Sequence, residues 1–229
     1  FNVNVNGGTE KAKYFVSLSY RQQEGLYKHE KDIKDYNIQA VTNLYNFRSN
    51  IDLNITKDLS LELNLGAMIR DRNYPGTDAD QLWLRAKQTP SWWYPVSSAN
   101  ATISGLPQKD ANPLGLLTQT GYQRFFDNTT QASTGMNYKM NWITEGLSAR
   151  ARLSFDAVNY RNVGRTKGFD TYLFTIDEDA TDLTQGTYTK LTTGNNFLDY
   201  NVNGNCSRRT QVELALNYGR TFGSHNVKG

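Results

Sequence analysis

One cysteine and two histidines are all that 229 residues offer of the side chains most used in catalysis and metal binding. With Cys206 alone, an intrachain disulfide cannot form and a multi-cysteine zinc site is excluded. Its surroundings, Asn203-Gly204-Asn205-Cys206-Ser207, are polar and contain no base that would make it a nucleophile. His29 falls in a long loop and His225 in a short turn, so the two are expected at opposite rims, unable to act together. No GxSxG elbow, P-loop or HExxH occurs. The chain therefore reads as a non-enzyme with no catalytic, cofactor or metal-binding residues.

Charge of one sign is also scarce. The 25 Lys+Arg against 22 Asp+Glu leave a formal net charge of +3, too mild for an electrostatic grip on nucleic acid. No stretch approaches the roughly 18 to 20 consecutive apolar residues of a membrane-spanning helix. That excludes helical spans but not barrel strands, whose signal is only alternation.

What is present is aromatic and alternating. Only 38% of residues are apolar, yet 14 Tyr, 10 Phe and 4 Trp bring aromatics to 12%, a combination foreign to disordered segments. Phe1, Val3 and Val5 alternate with asparagines, and after Gly7-Gly8-Thr9-Glu10 the residues Tyr14, Val16, Leu18 and Tyr20 repeat the pattern, predicting a hairpin. A second hairpin pairs Phe47, Ile51, Leu53 and Ile55 with Leu59, Leu61, Leu63 and Leu65 across Thr56-Lys57-Asp58. A third carries Ala132 to Met140, turns through Trp142 to Gly146, and returns as Leu147 to Phe155 with Arg150, Arg152 and Asp156 on the other parity. A seventh strand, Gln211 to Tyr218, runs into a turn at 222–226 with no partner expected after it.

Strands of about 10 residues exceed the usual ~5 to 6 and match the ~9 to 11 that a bilayer demands. Connections alternate between short turns near 7–12, 56–58 and 141–146 and long loops near 22–46, 70–127 and 160–208. Short turns at one rim and long loops at the other is the outer-membrane barrel pattern, and inward Arg150, Arg152, Glu62 and Asp52 suit a wet lumen where charges on neighbouring strands pair. The expected fold is all-β, about seven strands of a large antiparallel transmembrane barrel, with 1–229 forming part of one barrel domain. An odd strand number and open edges imply a longer chain. A secreted or surface β-sandwich carbohydrate-binding module is the alternative with the same parity.

The runs Tyr14 to Tyr20 followed by Gln23-Glu24-Gly25, Asn50 to Gly66, and Asn217 to Gly223 resemble the barrel of SusC-like (RagA-like) TonB-dependent outer-membrane transporters of Bacteroidetes. Asn112-Pro113 with Leu116-Leu117, Gly121-Tyr122, and Gly146 to Arg150 add to the resemblance. It implies a plugged barrel of 22 strands, of which this chain would be about a third. It also implies import of glycan or peptide oligomers, TonB as a partner through an N-terminal part not among these residues, and a SusD-type surface lipoprotein as lid. The expected location is the bacterial outer membrane, in contact with its lipid.

The second long loop carries the candidate contact residues. Trp83, Arg85, Trp92, Trp93 and Tyr94 combine flat faces that stack on sugars with a planar guanidinium that bonds hydroxyls or peptide. The same residues suit packing against a plug, the wall or a lid protein, because interfaces enrich Trp and Tyr. Residues 80–88 are expected to form a short helix with Leu82, Trp83 and Ala86 on one face. The acidic run Asp177 to Asp182 fails the EF-hand pattern and reads as a solvated loop, as do Asp71, Asp78 and Asp80. Tyr14, Tyr20, Trp142 and Tyr218 are placed at strand ends as an interfacial girdle. Asn54, Asn100, Asn128 and Asn205 head Asn-X-Ser/Thr triplets, with Asn54 facing inward on a strand.

Overall fold

The structure, a computed structural model, describes residues 1–27, 36–98, 102–107, 112–182 and 185–229. His29 and Asn100 lie outside the described residues. The chain is nearly all-β, built on one large antiparallel sheet whose strand order follows the sequence. Its strands are β1 (Asn2–Gly8), β2 (Ala12–Glu24), β3 (Val41–Asn54), β4 (Leu59–Pro75), β5 (Gly121–Lys139) and β6 (Leu147–Thr166). A separate hairpin, β7 (Thr171–Ile176) and β8 (Gly186–Thr192), precedes β9 (Asp199–Phe222) and β10 (His225–Lys228).

The sheet holds eight strands rather than seven, because β10 pairs with Gly219 to Phe222 of β9. His225 thus opens a strand, and the turn shrinks to two residues. The strands also run further than alternation predicts, cutting the long connections to 25–40, 76–120 and 167–198. The reason lies in both faces turning polar near the long-loop rim. Arg70 and Arg72 stand on one side of β4 and Asp71 and Asn73 on the other, so the ladder continues where the hydrophobic period stops. The long connections carry their own structure: the expected short helix forms as α1 (Ala79–Gln88), while α2 (Pro113–Thr118) and the β7–β8 hairpin stand where unstructured loop is expected.

Glycine stands at the start of β5 and immediately before β6 for a steric reason. Gly121 and Gly146 have φ of 93° and 88°, and a Cβ would stand 1.9 Å from the Arg165 carbonyl oxygen and 2.2 Å from that of Gly219. No L side chain fits either position without displacing backbone of the next strand.

The register sorts side chains into two unlike faces. On one, ladder rows such as Tyr14–Ile51–Leu63–Thr134–Leu153–Val212 and Ala12–Leu53–Leu61–Met136–Ala151–Leu214 are apolar. This face stays open: Leu214 is 78% exposed and Leu63 39%. The band runs from Leu59 to Ile69 on β4 and from Leu147 to Ala157 on β6. Each is roughly 33 Å along the strand.

The band is oblique to the ladder. Tyr138 of β5 lies two rows nearer the short turns than Tyr14 of β2, and Tyr218 of β9 three rows nearer. With roughly 3.3 Å per residue and 4.8 Å between strands, this tyrosine line slopes by about 40°. At the other margin Tyr20 and Tyr45 pair, ring centroids 5.0 Å apart.

The buried core sits in the connections. Ile38, Leu82 and Ile103 are buried there, whereas Ala157 is the buried apolar residue of the sheet among those described. The two-stranded sheet β7–β8 belongs to this loop layer, joined to the 76–120 connection through a parallel bridge between Ser104 and Tyr172.

Candidate functional site

Asn112 organises the loop layer. Its side chain is almost fully buried, and its Nδ2 donates to the carbonyls of Val96 and Ser104, both at 3.0 Å. Its Oδ1 accepts from the Leu114 amide at 2.9 Å, capping α2, with Pro113 in the first turn where no amide is needed. Thr118 and Thr120 return hydroxyl bonds to Leu114 and Leu116, and Tyr36 of the first long connection donates to the Thr118 carbonyl at 3.2 Å. Burial raises the Tyr36 phenol above its ordinary value.

The tryptophan cluster stands on this layer. The expected helix forms as α1, but only Leu82 of the anticipated face is buried; Trp83 is 61% exposed and Ala86 is exposed too. One helix side alone touches the layer, so Trp83 and Leu84 remain outside. Trp92 is 81% exposed and meets Trp93 edge to face, centroids 6.3 Å apart, while Trp93 and Tyr94 are half-buried. The Tyr94 hydroxyl is shielded and accepts or donates no hydrogen bond among the described residues. Arg85 reaches Gln88 at 3.4 Å. The five candidates therefore divide into exposed planes, Trp83 and Trp92, and half-buried neighbours, Trp93, Tyr94 and Arg85.

A second cluster, on the polar face of the sheet, was not legible in the sequence because its strand ends were read as loop. Phe125 of β5 lies opposite Arg72, whose guanidinium carbon is 5.3 Å from the ring centroid. Tyr74 meets Phe125 edge-on at 5.7 Å and Tyr160 lies at 6.4 Å. Arg72 Nη2 also donates to Asp127 at 2.7 Å, while among the described residues its shielded Nε has no acceptor and the shielded Asn162 Oδ1 no donor. The adjacent rings of Tyr74, Phe125 and Tyr160 make an aromatic surface suited to stacking on sugar or peptide groups.

The remaining candidates are placed plainly. Asp71 is engaged by Arg124, Asp78 accepts from Gln123 at 3.3 Å, and Asp177 to Asp182 form the turn between β7 and β8. Asn54 ends β3 and donates to the Glu10 carbonyl. Trp142 is exposed in the β5–β6 turn. Cys206 is exposed on β9. No helix among the described residues is long and apolar enough to cross a membrane. No family model matches the sequence, and no curated protein matches it.

Proposed function

We propose that this chain is wall and loops of an outer-membrane β-barrel, part of a SusC-like TonB-dependent transporter that imports glycan or peptide oligomers. One observation carries the reading: an open apolar band whose tyrosine margin crosses the strands at about 40°. Transmembrane barrel strands tilt by roughly 35–45° and present an apolar band about 25 Å tall, which is what ~33 Å of strand projects to at that slope. A soluble sheet has no reason to carry such an oblique band, and apolar surface this extensive is not left open to water. The sandwich alternative needs a second sheet over this face; β7–β8 lies instead in the loop layer. The unpaired margins of β1 and of most of β9 would be satisfied by further barrel strands.

In this reading the polar face lines the lumen and the loop layer faces outward. Substrate is held between the long connections and a SusD-type lipoprotein, then passes the lumen when TonB pulls a plug carried elsewhere in the parent chain. Trp83 and Trp92 offer exposed faces for substrate or lid, and Arg72, Tyr74, Phe125 and Tyr160 continue the path inward. Replacing Trp92 and Trp93 with Ala should lower oligomer uptake severalfold while membrane insertion is retained. Unchanged uptake would remove this loop from the binding path.

A further inference from the structure

Immediately beyond the Tyr20–Tyr45 pair, the apolar-band face changes character. Gln22, Asn43 and Asp71 share one ladder row, and Glu24, Val41, Asn73 and Arg124 the next. Tyr36, Asn37 and Gln39 fold over these rows and leave an open groove of about 790 Å³. Asn73 Nδ2 donates to the carbonyls of both Asn37 and Gln39 at 2.9 Å, which holds the overhanging wall in place. Tyr122 lies on the groove beside Tyr36, ring centroids 6.0 Å apart. Gln39 Oε1 is shielded from solvent and accepts no hydrogen bond among the described residues.

The charges decide what chemistry fits. Arg124 is occupied by a two-point contact with Asp71, and Glu24, which accepts from Gln22 Nε2 at 3.1 Å, adds to the wall a carboxylate with no ion pair among the described residues. Among the described residues of the groove a phosphate would meet no free cation. Amide groups and an aromatic plane suit a neutral ring rich in hydroxyls. The position decides how that ring arrives, because the groove opens on the outer side of the wall, above the band rather than toward the lumen.

The geometry points to a glycan site on the lipid-facing side of the wall: the groove receives an uncharged sugar of an outer-leaflet glycolipid whose acyl chains lie on the apolar band below. This rests on the barrel reading, which makes that face the lipid side. The site is separate from the import path, so its occupant anchors the wall in its leaflet rather than being carried.

The test uses the intact chain extracted in mild detergent, as wild type, Tyr122→Ala and Asn43→Ala, with heat-dependent gel mobility confirming that each barrel is folded. Co-purified glycolipid and phospholipid are quantified by mass spectrometry, and the deacylated headgroup glycan is titrated separately. The expected result is glycolipid retention in the wild type, a fall of about five- to tenfold in each variant, and unchanged phospholipid. Equal retention in all three proteins overturns the site. If the deacylated glycan binds as tightly as intact glycolipid and is lost in the variants, the sugar chemistry stands but the lipid-borne source is overturned. A wild-type chain that leaves membranes without detergent overturns the barrel reading itself, and with it the lipid-borne source, whatever the groove binds.

Discussion

Arg152 of β6 reaches Glu62 of β4 at 3.3 Å across the full width of β5. The residue between them in the ladder is Gly135, and a Cβ there would stand 3.3 Å from the Glu62 carboxylate. The sequence reading expected charges on neighbouring strands to pair; a strand without a side chain at that point lets the pair form over it. Arg150 approaches the same carboxylate at 4.0 Å.

Gly135→Val should therefore displace the ion pair without touching the apolar face. Both partners are about a third exposed, so the loss is expected to be modest, on the order of 0.5 kcal/mol or slightly more. Glu62→Gln should cost a similar amount, and the double variant little beyond either alone. A urea titration of the refolded chain measures this, and full additivity would contradict the bridge.

Asn112→Ala should unfasten the loop layer. It removes the donor to the buried Ser104 carbonyl and to that of the exposed Val96, and takes the cap from the Leu114 amide, at a cost on the order of 2 kcal/mol. The sheet's ladder is untouched by this change. Limited proteolysis should cut the 76–120 connection much faster while the strands stay resistant; equal cleavage rates would contradict the assigned role.

The third connection has a pH-dependent clasp. Lys190 at 2.7 Å, helped by the Gly194 amide at 2.7 Å, holds the Asp170 carboxyl below its ordinary range. Because the folded value is lowered, the stabilisation is present above the ordinary carboxylate value near 4 and is lost as pH falls through the folded one. Asp170→Asn should weaken hydrogen-exchange protection of β7–β8 at about pH 7, with the difference between wild type and variant shrinking as the pH is lowered below the ordinary carboxylate value near 4. A difference that persists in acid would contradict the clasp.

Hairpins and their short turns were legible because one face alternates cleanly from Leu59 to Leu65 and from Leu147 to Phe155. The outer thirds of the strands were not. At Arg70 to Asn73 and at Asn203 to Asn205 both faces are polar or small, so pairing there depends on backbone ladders that leave no period in the sequence. The aromatic cluster of Tyr74, Phe125 and Tyr160 was lost for that reason. Helix α1 was legible, but its burial was not, since Leu82 and Trp83 are equally apolar and only the loop layer decides which one turns inward.

The account's central claim, that the apolar band faces lipid and the opposite face water, is tested most directly by spin labels along β6. In the intact chain with Cys206→Ser, single cysteines at Leu153, Ser154, Phe155 and Asp156 are labelled in bilayers and their access to oxygen and to a water-soluble nickel complex compared. The account predicts strict alternation, with the labels at Leu153 and Phe155 open to oxygen and those at Ser154 and Asp156 open to nickel. Equal access of the nickel complex to all four labels would contradict it.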